Sequence, residues 1–444
     1  MGTWQLVEKP EGTVPIGNKW VLVKKRNKAG EIIKYKARMV AKGCAQRPGY
    51  DYLEMHSPIM CMEIIHAILA VAAMQKLFIY QLDIKGAYLN GKLKQHMYMQ
   101  QPEGYNNSTG CVCMLVKTLY SLKQAGQEWN IEFDSKLRRQ GYVHLQSDPC
   151  MYIWHVDEDF IIITVWVDDL LLFVTTIELR DKARADIERK WEVTDLGKPS
   201  KIVGIEINQT KDFISISQIK YIESILWREG MEHCNTVSTP LDPNVPLLPN
   251  LEGNEGSHSN SYVRLLGQLQ FVTNAMCPDI CYAVNRLVAY TANPSLQHTT
   301  ALKHILCYLS RTRMYRIIYR LLPHQSNFFY GYADAAYGNA DEHQSTTGYV
   351  FIAGKGAITW SSRKQIATAL SSTEAEYVAL SEALQEAFWL RNIYDELGLL
   401  QEDMPTEIWG DNEGSIAMVK NPQFHKCSKH IARHWHWVCK LVED

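Results

Sequence analysis

A run of strand-forming residues, broken once by two acids, constrains this chain more than any other feature. Asp159-Phe160-Ile161-Ile162-Ile163-Thr164-Val165-Trp166-Val167 is rich in branched and aromatic residues, and Leu170-Leu171-Leu172-Phe173-Val174 resumes that character after Asp168-Asp169. The run falls short of the ~20 apolar residues that a spanning helix needs, and the acids interrupt it, which excludes a membrane segment. A hairpin of two apolar strands remains, with two negative charges at its tip. Adjacent carboxylates in apolar surroundings repel each other at a cost unless a cation neutralises them. The hairpin therefore points to a metal site.

Charge balance narrows the partner. Lys and Arg total 46 against 48 Asp and Glu over 444 residues, a formal net charge of -2, so a uniformly basic nucleic-acid binder is excluded. A locally basic one is not. Lys19, Lys24, Lys25, Arg26, Lys28, Lys34, Lys36, Arg38 and Lys42 face one acid, Glu31, and alternate with apolar residues on both sides of Asn27-Lys28-Ala29-Gly30. This predicts a basic β-hairpin, either a solvated strand face or a contact for a polyphosphate backbone. Eleven cysteines without a secretory signal read as reduced intracellular thiols, and neither Cys277 with Cys281 nor the histidines at 425, 430, 434 and 436 complete a zinc set.

The length predicts about three domains. Periodicity predicts helices over Met62 to Lys76, Ala125 to Gln140, Ile177 to Trp191, Tyr262 to Met276, Asp279 to Tyr290 and Gln297 to Arg311. Strands are expected over Leu77 to Asp83, near Lys201 to Ile207 and over Phe213 to Ser217. The stretch from Thr239 through Ser261, rich in Pro, Gly, Asn and Ser, reads as a linker. From about Phe328 the pattern returns to strands, a long helix, then strand, turn and helix.

Asp83 ends the strand Phe78-Ile79-Tyr80-Gln81-Leu82 and adds a third acid to Asp168 and Asp169. Paired divalent ions held by such carboxylates suit nucleotidyl transfer, because they lower the pKa of an attacking hydroxyl and offset charge on the phosphoryl oxygens. The motifs Tyr35-Lys36-Ala37-Arg38-Met39-Val40-Ala41-Lys42-Gly43, Gln81-Leu82-Asp83-Ile84-Lys85-Gly86-Ala87-Tyr88-Leu89-Asn90-Gly91, Ser121-Leu122-Lys123-Gln124 and Val167-Asp168-Asp169 occur in that order. Together they resemble the reverse transcriptase of copia-type LTR retrotransposons, over nearly the whole chain. The resemblance implies an α+β multidomain chain: a right-hand polymerase palm with fingers and thumb in 1–235, a linker and helical connection in 236–325, and a ribonuclease H-like domain in 326–444. It implies that Asp83, Asp168 and Asp169 are catalytic metal ligands, and that Lys36, Arg38, Lys42, Tyr88 and Gln124 bind the nucleotide. Tyr88 matches the aromatic that crowds the sugar 2′ position.

The last third repeats the logic. Phe328-Phe329-Tyr330-Gly331-Tyr332-Ala333-Asp334 is a strand ending in an acid. Ser371-Ser372-Thr373-Glu374 has capping-box spacing, which accounts for Glu374. Steps of three and four from Glu376 reach Ala379, Leu380, Ala383, Ala387 and Leu390, which places this acid on the apolar face of the helix. Asp411-Asn412 follows a third strand, and one of the two is expected to cap the next helix. Strand Asp, helix Glu and strand Asp resemble ribonuclease H, which implies that Asp334, Glu376 and Asp411 hold metal in a nuclease acting on an RNA–DNA hybrid.

Several positions depart from the family. Ala432 stands where the fourth nuclease acid is expected, Ala336 and Tyr337 replace an Asp and a Trp, and Trp166, Ser121, Cys61 and Gln127 replace Tyr, Gly, Arg and Arg. These losses resemble a decaying element copy. The resemblance implies an RNA-directed DNA polymerase with an impaired ribonuclease H, and the alternative is a catalytically inactive nucleic-acid-binding relic. It implies two Mg²⁺ per active site, with Mn²⁺ as a substitute. The implied partners are RNA template, DNA primer, RNA–DNA hybrid and dNTPs, with no membrane. The location implied is intracellular, cytoplasmic or nuclear. No protease signature, Cys-Cys-His-Cys knuckle or integrase-like zinc module occurs, so the chain is read as the last two enzymes of a polyprotein.

Overall fold

The computed structural model describes residues 2–26, 31–107, 109–250, 259–320, 328–338, 344–366, 368–400 and 405–420. The chain forms two compact units, one of residues 1–60 and 78–198, the other of 61–77 and 199–444.

The first unit is organised by an antiparallel sheet of six strands, in the order Val193–Gly197, Phe78–Ile84, Asp169–Val174, Asp159–Trp166, Met151–Val156, Val143–His144. Alternation assigns the faces. Tyr80, Leu82, Ile84, Ile161, Ile163, Leu170 and Leu172 pack with Trp129, Phe133 and Leu137 of the helix Ala125–Arg139 and with Ala183 and Ile187 of the helix Ile177–Glu188. Asp83 and Asp169, one step out of phase with these residues, fall on the opposite face. Thr176 caps the second helix, accepting from Leu179 N at 3.4 Å. The basic island forms the antiparallel pair Asn18–Arg26 with Ile32–Ala41, as expected. The turn residues 27–30 lie outside the described residues.

One departure in this unit has a clear physical reading. Ser121 occupies the left-handed region at φ 69°, and its carbonyl sits where a Cβ on Gly43 would come within 1.9 Å. The backbone thus needs a left-handed residue at 121 and no side chain at 43. A serine there pays a steric cost that glycine avoids. Ser121→Gly is expected to stabilise the protein by about 1 kcal/mol, read as a higher urea midpoint with an unchanged slope.

The second unit contains two sheets. The first pairs Lys201–Ile202, Ile205–Gln209, Phe213–Ser217 and Ile317–Arg320. The stretch from Lys201 to Ile207, expected as a single strand, is instead a tight hairpin. Val203 and Gly204 both take positive φ, 44° and 84°, and reverse the chain. Helices Ile219–Arg228, Ser259–Ala275, Cys281–Val288 and Leu296–Thr312 share a core containing Ile225, Leu266, Leu269, Leu287 and Leu306.

The other sheet runs Gly356–Lys364, Thr346–Ala353, Tyr330–Ala336, Glu407–Trp409, with the last pair parallel. The helix Ser372–Glu396 packs on it. The helix Met62–Met74, buried without a break from Ile64 to Ala73, also belongs to this unit and packs against Gly356–Lys364. Among the described residues no helix is long and apolar enough to cross a membrane.

Candidate metal and nucleotide sites

The hairpin tip is tight. Trp166 pairs with Asp169, so Val167-Asp168 forms the turn, and Val167 takes φ 60°, a strained value for a β-branched residue. Two hydrogen bonds over-determine it. The Trp129 indole donates to Val167 O at 2.8 Å, and Ile84 N donates to Asp168 O at 2.8 Å. The next strand places Asp83 directly opposite Asp169 in antiparallel register. Three acids thus meet at one end of the sheet, two of them cross-strand neighbours whose like charges oppose each other.

Electrostatics follow from this crowding. Burial pushes the Asp168 carboxyl up from its ordinary range, with Asp83 adding to the rise and Lys36 and Arg38 opposing it. Asp169 is raised by burial and by both neighbouring acids, against a hydrogen bond from Gln81 Nε2 at 3.2 Å. Gln81, two residues before Asp83, shares its strand face, and that period of two is the signal in the chain that finds it; Trp129 carries no such signal. A pair of half-buried carboxyls held above their normal pKa is a donor set that favours a cation.

Asp83 and Asp168 open on a cleft of about 750 Å³ that Lys34, Lys36, Arg38 and Tyr120, among others, also line. The Arg38 guanidinium lies 5.7 Å from the Tyr120 ring centroid. Tyr88, half-buried, packs edge-on against Tyr120 at 5.6 Å and lines a separate cavity of about 90 Å³ beside Trp129, Trp166 and Val167. Lys42 and Gln124 do not line the cleft. Lys42 lies against Gly17. Gln124 is buried, accepting from Gln46 Nε2 at 2.9 Å and donating to Asp51 O at 3.0 Å, which occupies its amide in a crosslink.

Asp334, Glu376 and Asp411 form the tighter cluster, with one ligand atom from each lying within 4.8 Å of the others. Among the described residues it is the one such set, so Asp83, Asp168 and Asp169 share a sheet end without reaching that spacing. Capping explains how Asp411 is left to the cluster. Asn412 Oδ1 accepts from Ser415 N at 2.9 Å and takes the cap of the helix Glu413–Lys420. Ser371 likewise accepts from Glu374 N, and the Glu374 carboxylate accepts from Leu370 N at 2.7 Å. Both caps were legible from spacing.

Burial first, then Asp334 and Asp411, raise Glu376 to about 7, while a hydrogen bond from the Ala335 backbone lowers it. The sign follows from proton counting. The folded group binds its proton more tightly than the unfolded one, so it favours folding at acid pH, and that contribution is lost as pH rises through about 7. A divalent ion held by this cluster would have to displace this proton. Its affinity is therefore expected to fall several-fold between pH 8 and pH 6, with about one proton released per ion. Titration calorimetry in two buffers of different ionisation enthalpy measures both.

A family model described as "Reverse transcriptase (RNA-dependent DNA polymerase)" matches residues 1–243, and one described as "Reverse transcriptase-like" matches 333–393. The chain is 37% identical over 454 residues to the retrovirus-related Pol polyprotein from transposon TNT 1-94 of Nicotiana tabacum, covering 100% of this chain and 34% of the relative. It is 36% identical to the corresponding polyprotein from transposon RE1 of Arabidopsis thaliana, covering 100% and 30%. It thus spans about a third of the length of these relatives. A foamy viral protease–reverse transcriptase, solved in complex with double-stranded DNA, shares the fold at a TM-score of 0.51 and 14% identity, over 99% of this chain and 65% of that one. The mixed architecture with a polymerase palm and a ribonuclease H-like C-terminal domain is the one expected. The chain belongs to the reverse transcriptase family, in the form carried by copia-type retrotransposon Pol polyproteins.

Proposed function

We propose that this chain is an RNA-directed DNA polymerase with an attached ribonuclease H weakened by the loss of one acid. The observation that carries the polymerase reading is the register of Asp83 against Asp169, with Asp168 on the turn beside them, opening on a cleft that also presents Lys36 and Arg38. Asp83, Asp168 and Asp169 would hold two Mg²⁺, whose chemistry is to acidify a primer 3′-hydroxyl and offset phosphoryl charge. The chain's own residues do the rest. Lys36 and Arg38 offer positive charge to a triphosphate, and Arg38 is steadied by Tyr120. Gln81 orients Asp169. Tyr88 crowds the sugar side, favouring dNTPs, and Gln124 shapes the site through its buried network.

Under this reading 1–235 is the polymerase, 236–325 the linker and connection, and 326–444 the nuclease, with Asp334, Glu376 and Asp411 as its metal ligands. Its partners are an RNA template, a DNA primer and the hybrid they form. Extension of a DNA primer on RNA, started by Mg²⁺ and stopped by chelation, tests the proposal. Absence of metal-dependent extension overturns it.

A further inference from the structure

Tyr88 is the aromatic that the resemblance places at the sugar 2′ position, but the wall of the cleft carries a different ring. Tyr120 lines the cleft beside Arg38, Asp83 and Asp168, and Tyr88 does not. Tyr88 lines the smaller cavity next to Trp129 and Trp166, and it packs against two cores of the first unit. The two tyrosine rings meet edge-on, with centroids 5.6 Å apart and planes at 72°. Tyr88 is thus in reach of the cleft wall through Tyr120.

Tyr120 is held in place from both sides. Its carbonyl accepts from Ala41 N at 3.1 Å, which ties it to the end of the strand that carries Lys36 and Arg38. Its neighbours Leu119 and Leu122 are buried in the core that also takes Ala41. The Arg38 guanidinium lies 5.7 Å from the Tyr120 ring centroid. A guanidinium so placed suits phosphate oxygens, and in a nucleoside triphosphate the group adjoining the phosphates is the sugar. Burial, then the charge of Asp168, push the Tyr120 hydroxyl pKa up, so the ring stays neutral beside the acids. A deoxyribose packs against such a ring. A ribose brings a 2′-hydroxyl that clashes with it or gives up water without a partner.

Resting on the polymerase reading above, we infer that Tyr120 is the side chain that the sugar of a bound nucleotide meets, with Tyr88 as its brace. Tyr120 sets the preference for dNTPs by exclusion. Tyr88 is a positioning residue that keeps the Tyr120 ring from retreating.

Sugar preference is measured on the full chain as the ratio of kcat/KM for dATP to that for ATP, in extension of a DNA primer on RNA with Mg²⁺. Tyr120→Val is expected to lower this ratio about 10- to 100-fold by admitting ATP. Weaker support for Arg38 affects both nucleotides alike and cancels in the ratio. Tyr120→Phe, which keeps the ring, should keep most of the preference, and Tyr88→Val should lose less of it than Tyr120→Val. Circular dichroism checks that each variant folds. The same preference is read without chemistry from the Kd values of dATP and ATP on a primer–template whose primer ends in a dideoxynucleotide. Failure of extension alone therefore counts against the polymerase reading, while the binding ratio still decides the role of Tyr120. An unchanged preference in Tyr120→Val, or a larger loss in Tyr88→Val, would overturn the inference.

Discussion

Replacing Asp83 by Asn is expected to lower nucleotide incorporation on the order of 1000-fold, about 4 kcal/mol of transition-state stabilisation, while leaving the fold intact. The substitution keeps the size of the side chain and the antiparallel pairing with Asp169. It removes one of the three charges of the proposed metal site. The same change takes a like charge away from Asp168 and Asp169, both of which Asp83 pushes up. In metal-free buffer the variant should therefore be the more stable protein, by about 0.5 kcal/mol. Catalysis falls while stability rises, and only an acid placed for a cation shows that opposition. Steady-state extension and urea titration of the same preparation read both. A variant that lost stability together with activity would mark Asp83 as a structural residue.

The nuclease half makes the second large prediction. Asp334, Glu376 and Asp411 already lie close enough to share an ion, yet Ala432 supplies no fourth carboxylate. Residue 432 lies outside the described residues, so its part in the prediction rests on the family resemblance. Cleavage of an RNA–DNA hybrid by the unmodified chain should be weak, rise by about 10- to 100-fold in Ala432→Asp, and vanish when Glu376→Gln is added. Gel analysis of a labelled hybrid measures all three. Robust cleavage by the unmodified chain would show that three acids suffice.

Much of this site was legible because its geometry is local. Two apolar strands broken by Asp168-Asp169 can only be a hairpin with the acids at its tip, and a strand ending at Asp83 can be placed beside it by period alone. Glu376 stood out because an acid on an apolar helix face needs a reason, and capping-box spacing accounts for Glu374; which of Asp411 and Asn412 caps the last helix is settled only by the bond from Ser415 N to Asn412 Oδ1. What escaped depends on partners distant in sequence. A uniformly apolar helix such as Met62–Met74 has no polar face to show which unit it joins. The hydrogen bonds that tie Gln124 to Gln46 and Asp51, far upstream, leave no local signal in the chain. The positive φ at Val203, Ser121 and Val167 is invisible because none of the three is the glycine that would announce it.

Ser121 also shows how a family departure acts through the backbone. The family's Gly suits a left-handed position, and the serine found here costs stability without removing any group from the cleft. Trp166 still pairs with Asp169, and Gln127 still finds a partner, donating to Glu54 Oε2 at 3.0 Å. None of these changes removes a carboxylate from Asp83, Asp168 or Asp169.

The central claim is that the tip acids perform metal-dependent polymerisation on RNA. It is tested most directly by extending one DNA primer on one RNA template, with dNTPs and Mg²⁺, comparing the unmodified chain with the double variant Asp168→Asn, Asp169→Asn. The account predicts extension by the first and none above background by the second, with both showing the same circular dichroism. Equal extension, or none by either, would contradict it.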